Sequence, residues 1–231
     1  MSSSIADTLA QIEERIHQAC QRAGRSSESV RLLAVSKRKP AADVTAALAA
    51  GQTLFGENRI QEAREKIPEV NDPRAEWHLI GPLQRNKVKY AVKLFHMVHS
   101  LDSLSLASEL DKRIPQERTP LSVLLQVNVG REPQKSGFDP SEVEEAARAV
   151  SEMANLRVCG LMAIPPYDPD PEAVRPHFRA LAELAKKVDN LSISGISMEE
   201  LSMGMSHDFE CAIEEGATLV RVGSALFGPR L

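Results

Sequence analysis

Lys37 ends the apolar run Leu32-Leu33-Ala34-Val35-Ser36, and an amine at the end of a buried strand can attack a carbonyl to form a Schiff base. On the motif alone, Lys37-Arg38-Lys39 reads more readily as a solvated basic turn before Pro40. A second chemistry lies near the C-terminus, where Arg221-Val222-Gly223-Ser224-Ala225-Leu226-Phe227-Gly228 is a strand passing through glycine into a helix-like turn. Unpaired backbone N–H groups at Gly223 and Ser224 would hold an anion such as phosphate. Ser202 and Ser206 could add hydroxyl donors, although a junction of this kind needs glycine in any case. Arg221 shares a strand face with Leu219 and Gly223, so it points either inward to a ligand acceptor or outward to a helix carboxylate. An inward arginine is costly without a partner. Asn58 in Phe55-Gly56-Glu57-Asn58 either caps the following helix or contacts a ligand.

Other constellations are weak. His96 and His99 are three apart in an expected strand, which puts them on opposite faces and not around one metal. His78, between Trp77 and Leu79, reads as a satisfied core histidine, and His207-Asp208 as a helix start. No Cys-His, His-x-x-x-His or Ser-His-Asp arrangement stands out, which disfavours metal catalysis and acyl transfer.

The elements that must position these residues alternate along the chain. Short aliphatic runs at 32–36, 53–55, 77–81, 96–100, 122–127, 158–163, 191–197 and 219–222 are expected as strands. Helical stretches at 41–50, 60–67, 104–113, 140–154, 171–188 and 208–215 lie between them, and 4–23 forms an amphipathic helix stopped by Gly24. Eight such units predict an α/β chain, a closed (β/α)8 TIM barrel with an additional N-terminal helix. The open doubly wound sheet is the alternative; it is disfavoured because neither Gly-x-Gly-x-x-Gly nor Gly-x-x-x-x-Gly-Lys-Ser/Thr occurs where a nucleotide would need it. The barrel places Lys37, Asn58, the Ser202–Ser206 motif and Gly223-Ser224 on one rim, with the proline-rich loop 165–171 beside them. One domain is expected over 1–231, with the N-terminal helix in 1–24 and the barrel in 31–228.

Bulk properties narrow the class. A net charge of −4 with scattered basic residues disfavours nucleic acid as partner. Cys20, Cys159 and Cys211 are odd in number and far apart, which fits a reducing cytoplasm better than a disulfide framework. No basic n-region with an apolar core opens the chain, and no run of about 18 apolar residues suggests a membrane span.

The motifs Leu33-Ala34-Val35-Ser36-Lys37, Phe55-Gly56-Glu57-Asn58, Trp77-His78-Leu79-Ile80-Gly81-Pro82-Leu83-Gln84-Arg85-Asn86-Lys87, Gly160-Leu161-Met162, Leu201-Ser202-Met203-Gly204-Met205-Ser206 and Val220 to Gly228 together resemble one family. It is the pyridoxal phosphate homeostasis proteins, also called the YggS or PROSC family, which is similar to the barrel domain of alanine racemase. The resemblance implies pyridoxal 5′-phosphate covalently bound to Lys37 as an internal aldimine. It further implies that Ser202, Gly223 and Ser224 hold the phosphate, that Arg221 faces the pyridine nitrogen, and that Asn58, Met203 and Gly204 line the ring pocket. Arg59 departs from the tyrosine common after Gly-Glu-Asn, which bears on contacts at that position alone.

A free lysine is neutral in only on the order of one molecule in a few thousand at pH 7. Burial, with Arg38 and Lys39 nearby, would favour the neutral nucleophile. Arg221, which cannot readily leave a proton on the ring nitrogen, would make the cofactor a poor electron sink. A racemase's second base from another domain is not expected here. The family resemblance therefore implies a non-catalytic, monomeric, cytoplasmic protein that holds, buffers or delivers the cofactor, with apo-enzymes as the partners for delivery. The alternatives are a slow racemase or decarboxylase using His78 or His207 as base, and a lysine Schiff-base aldolase.

Overall fold

A computed structural model describes residues 4–115 and 118–228; Met1 to Ser3, which begin the segment expected to carry the N-terminal helix, lie outside the described residues. Among the described residues, eight parallel strands close into a barrel in chain order. They are β1 (Arg31–Val35), β2 (Leu54–Glu57), β3 (Glu76–Leu79), β4 (Met97–Leu101), β5 (Leu121–Val127), β6 (Leu156–Ala163), β7 (Ile196–Met205) and β8 (Leu219–Val222). The helices are α1 (Ile5–Arg22), α2 (Ala41–Ala49), α3 (Ile60–Val70), α4 (Val88–Leu94), α5 (Leu104–Arg113), α6 (Val143–Ser151), α7 (Pro171–Asp189), α8 (Phe209–Glu214) and α9 (Ser224–Phe227). The expected (β/α)8 barrel with its N-terminal helix is the observed architecture.

Strands in a barrel are buried on both faces, which is why most of them read as short unbroken apolar runs. Leu33, Val35, Leu54, Ile80, Met97, Leu124, Met162 and Leu219 fill the interior. Ala34, Phe55, Trp77, Val98, Leu125, Leu161 and Val220 face outward into a second core shared with the helices. Cys20, Cys159 and Cys211 are free and buried, and burial pushes the Cys211 thiol up to about 11, far from a reactive thiolate at neutral pH. No helix among the described residues is long and apolar enough to cross a membrane.

The helix α1 packs across α2, α8 and α9 and covers the seam between the first and last units. Its Leu9, Ile12, Ile16 and Ala19 are buried, while Arg15 reaches Glu210 at 2.9 Å and lies over the Phe209 ring. Ser4 starts the helix with a capping box: its Oγ accepts from Asp7 N–H at 3.1 Å, and the Asp7 carboxylate accepts from Ser4 N–H at 3.1 Å. Ser4→Ala should lower the unfolding free energy by about 1 kcal/mol, seen as a lower urea midpoint at unchanged slope.

The largest difference from the sequence-based expectation is the seventh strand, which is expected at 191–197 and occupies Ile196–Met205. Ser192 at φ 50° and Gly195 at φ 78° are left-handed turn positions, so the aliphatic alternation before Ile196 is not extended. The true strand is hidden because Glu199 and Glu200 interrupt it. The Glu200 carboxylate accepts from Thr218 Oγ1 at 2.7 Å and pairs with Arg31, so its polarity is satisfied within the barrel's lower edge. The short α4 was also missed, and α6 is shorter at both ends than the expected 140–154.

Candidate functional site

A cavity of about 330 Å³ opens at the C-terminal rim of the barrel. Lys37, Asn58, Arg221, Gly223 and Ser224 line it, together with Lys39, Ile80, Ile164, Tyr167, Met205, Ser206 and His207. Five of the expected site residues, contributed by the ends of β1, β2 and β8, are thus brought to one wall.

Lys37 is half-buried, and the backbone on each side of it is anchored from below. Ser36 Oγ donates to Glu57 Oε1 at 2.7 Å, and Lys66 Nζ donates to Ser36 O at 2.6 Å. The same ammonium donates to Glu57 Oε1 at 2.6 Å and to Glu62 Oε1 at 2.7 Å. Glu62 in turn accepts from the N–H of Arg38, which sits at φ 59°. The turn is therefore held at residues 36 and 38, on either side of Lys37, which lines the cavity. Lys39 Nζ donates to Phe227 O at 2.7 Å and ties this turn to the end of α9. Glu57 is fully buried, and burial holds its carboxyl above the ordinary range while the hydrogen bonds from Lys66 and Ser36 pull it down.

Asn58 follows β2 and is not a helix cap, since Arg59 occupies the N-cap of α3 without a side-chain cap bond. Gly81 fixes the Asn58 backbone: a Cβ there would lie 2.2 Å from Asn58 O, so only glycine allows the two strand ends to approach. Arg59 is exposed and lines a cleft of about 140 Å³ with Lys37, Arg38, Asn58 and Glu62, outside the main cavity.

After β7 and β8, Ser206 Oγ accepts long hydrogen bonds from Gly223 N–H at 3.3 Å and Ala225 N–H at 3.4 Å, and Ser224 Oγ lies 3.3 Å from it. These are weak, stretched contacts among groups that all suit an anion. Arg221 forms part of the floor. It is 4 % exposed and points inward, the first of its two expected orientations. Nη1 donates to Ser202 Oγ at 2.7 Å and Nη2 to Ala163 O at 2.9 Å. Among the described residues no carboxylate lies within ion-pair distance of it. Burial lowers its pKa to about 10, with Asp208 opposing, so it stays cationic at neutral pH.

Ser202, Met203 and Gly204, expected at the ligand, are not on the cavity wall. All three lie inside β7 and not after it, one consequence of the displaced strand. Ser202 faces the barrel interior, bonded to Arg221 and His99. Met203 belongs to the outer core. Gly204 has φ 86°, and a Cβ on it would meet Ala212 Cβ at 2.6 Å, so it admits α8 against the strand. Their rim places are taken by Met205, Ser206 and His207. Tyr167 comes from the proline-rich loop, whose position on the rim is legible in the sequence, and Ile164 directly follows β6. Tyr167 is 75 % exposed and packs against the His207 ring, with centroids 5.1 Å apart. His207 Nε2 lies 2.8 Å from Asp168 O, and His78 is buried below the floor.

The family model for the N-terminal domain of alanine racemase matches residues 8–230. A protein of Pseudomonas aeruginosa named pyridoxal phosphate homeostasis protein is 47% identical over 228 residues, covering 99% of this chain and 96% of the relative. The protein of that name from Aquifex aeolicus is 45% identical over 224 residues, 97% of each chain. Among solved structures, PipY of Synechococcus elongatus PCC7942 with PLP bound superposes with a TM-score of 0.84 at 38% identity, covering 97% of this chain and all of that one.

Proposed function

From the premise that this chain belongs to the pyridoxal phosphate homeostasis protein family, whose relatives match it over nearly its whole length, we propose that it binds pyridoxal 5′-phosphate at the rim cavity and holds the cofactor in reserve without turnover. The observation that carries this reading is the donor set of the cavity: the Lys37 amine, a buried guanidinium, and the Ser206 and Ser224 hydroxyls beside the Gly223 N–H. An aldehyde, a ring nitrogen and a phosphate ester ask for those three kinds of group. A cavity of about 330 Å³ is within the range that small cofactors occupy.

Lys37 holds the aldehyde carbon as a Schiff base, formed with loss of one water. Ser206, Ser224 and the Gly223 N–H hold the phosphate, and Ser202 supports Arg221 from beneath. Asn58 flanks the ring. When bound, the cofactor supplies an electrophilic aldehyde that can be exchanged from one amine to another, which suits storage and delivery to apo-enzymes by a monomer. Arg221 favours an unprotonated ring nitrogen, and His207, the one histidine on the wall, has Nε2 directed at a backbone carbonyl. These features favour a carrier over a racemase.

The purified protein mixed with pyridoxal phosphate should become yellow, and borohydride should bleach the band and leave one adduct that peptide mass mapping assigns to Lys37. A colourless protein would overturn the reading. So would amino-acid α-proton exchange in deuterated water at a catalytic rate.

A further inference from the structure

Below the cavity floor, a chain of hydrogen bonds, buried except at its last, part-exposed link to Glu76, runs the length of the barrel interior. Arg221 Nη1 donates to Ser202 Oγ at 2.7 Å, Ser202 Oγ and His99 Nδ1 are 2.9 Å apart, His99 Nε2 and His78 Nδ1 are 2.9 Å apart, and His78 Nε2 lies 2.8 Å from Glu76 Oε1. The links come from β8, β7, β4 and β3. Glu76 is the first residue of β3, so the chain ends at the opposite face of the barrel, on the wall of a second cavity of about 500 Å³.

The donor inventory gives the chain a direction. A guanidinium only donates and a carboxylate only accepts, while a hydroxyl and a neutral imidazole can each do one of both. Burial lowers the pKa of His99 well below the ordinary histidine value, and lowers that of His78 despite its bond to Glu76, so both rings are neutral. Glu76 must then accept from Nε2–H of His78, whose Nδ1 accepts from Nε2–H of His99. Nδ1 of His99 accepts from the Ser202 hydroxyl, which accepts from Arg221. Every hydrogen points from Arg221 towards Glu76. The bond dipoles are aligned, with a lone pair facing the cation and an N–H facing the anion.

We propose that Glu76 is a positioning residue for Arg221, acting across the barrel through Ser202, His99 and His78 as a one-directional relay. Among the described residues Arg221 has no direct carboxylate partner, and an uncompensated buried cation is costly. The relay supplies the compensation while leaving the rim side of the guanidinium to a ligand. The carboxylate nearest in effect, Asp208, is engaged by Met205 N–H at 2.6 Å. At the far end Arg31 and His96 act on Glu76, and Arg31 is itself paired with Glu200.

This inference rests on the cofactor reading only for its consequence at the rim; the relay itself is measurable in the cofactor-free protein. Long-range ¹H–¹⁵N correlation on ¹⁵N-histidine protein should show His78 and His99 both neutral and both carrying hydrogen on Nε2. A hydrogen on Nδ1 of either ring, or a charged ring, would overturn the proposal. Glu76→Gln keeps an acceptor but removes the charge; it should shift the His99 ring signals, two links away, and raise the Kd for pyridoxal phosphate roughly fivefold. Glu13→Gln removes a carboxylate from the same lower cavity outside the relay and should change neither. Equal behaviour of the two variants would overturn the coupling. If the wild-type protein fails to bind pyridoxal phosphate, the functional reading fails while the tautomers still decide the relay.

Discussion

Lys66→Met is expected to lower the unfolding free energy by about 3–5 kcal/mol, the usual cost of removing one partner of a buried pair. The ammonium is nearly buried and serves three acceptors at once, Ser36 O and the carboxylates of Glu57 and Glu62, all within 2.7 Å. Methionine fills similar volume, so the cost comes from stranding Glu57, one of whose oxygens, Oε2, already has no protein partner. For a chain of this size the melting temperature should fall by on the order of 10 °C. The loss carries a pH signature whose sign follows from Glu57. Burial raises its carboxyl above 4.5 in the fold, so the folded state binds this proton more tightly than the unfolded chain. Stability from this group is fully present below 4.5 and is lost as pH rises through the folded value. Without Lys66 the downward pull is gone, so the deficit relative to wild type should be small in acid and grow towards neutral pH. Adding Glu57→Gln should recover part of it at neutral pH. A deficit that does not change with pH would assign the cost to the Ser36 carbonyl alone. Urea denaturation across the acid-to-neutral range makes the measurement.

The same network explains what was and was not legible in the sequence. Lys37, Asn58 and Gly223-Ser224 are legible as rim positions because each stands where an apolar run stops, and a barrel gathers all strand ends of one sense onto one rim. Arg221 was found with its orientation open; inside the barrel, it is the side chain around which the interior polar groups are arranged. The supports of Lys37 were not visible, because Lys66 and Glu62 lie on a helix face that reads as ordinary solvated charge. Nothing in one chain's spacing says that a helix lysine turns under a strand. Ser202, Met203 and Gly204 were misplaced for a different reason. A strand carrying two glutamates and a left-handed glycine has no period-2 apolar signature, so periodicity ends it at 197, some eight residues before Met205, and a mid-strand motif reads as a loop after it. The histidine relay needs the register of four strands at once, which local periodicity does not contain.

Lys37→Ala should abolish the borohydride-fixable adduct completely, while Lys39→Met should leave it in place on Lys37. In sequence the two lysines are interchangeable members of one basic turn; in the structure they do different work. The backbone of Ser36 and Arg38 is clamped by Lys66 and Glu62, and Lys37 between them lines the cavity beside Asn58. The Lys39 amine is committed to Phe227 O at 2.7 Å, a buried contact that ties the turn to α9. Removing Lys37 strands no buried acceptor of the Ser36 or Glu57 network, so the unfolding free energy from urea denaturation should change by no more than about 0.5 kcal/mol. Pyridoxal phosphate should still bind, more weakly, with the absorbance of the free aldehyde. Lys39→Met leaves the Phe227 carbonyl buried and unsatisfied, at a cost of about 1–3 kcal/mol. Its adduct should survive on Lys37, and the position of Gly223 and Ser224 just before Phe227 predicts faster loss of the unreduced cofactor. Peptide mapping after borohydride reduction of all three proteins separates the roles. A reduced adduct on Lys39 in the Lys37→Ala protein would mean that the turn offers the cofactor two tethers, and that the clamp on residues 36 and 38 does not select between them.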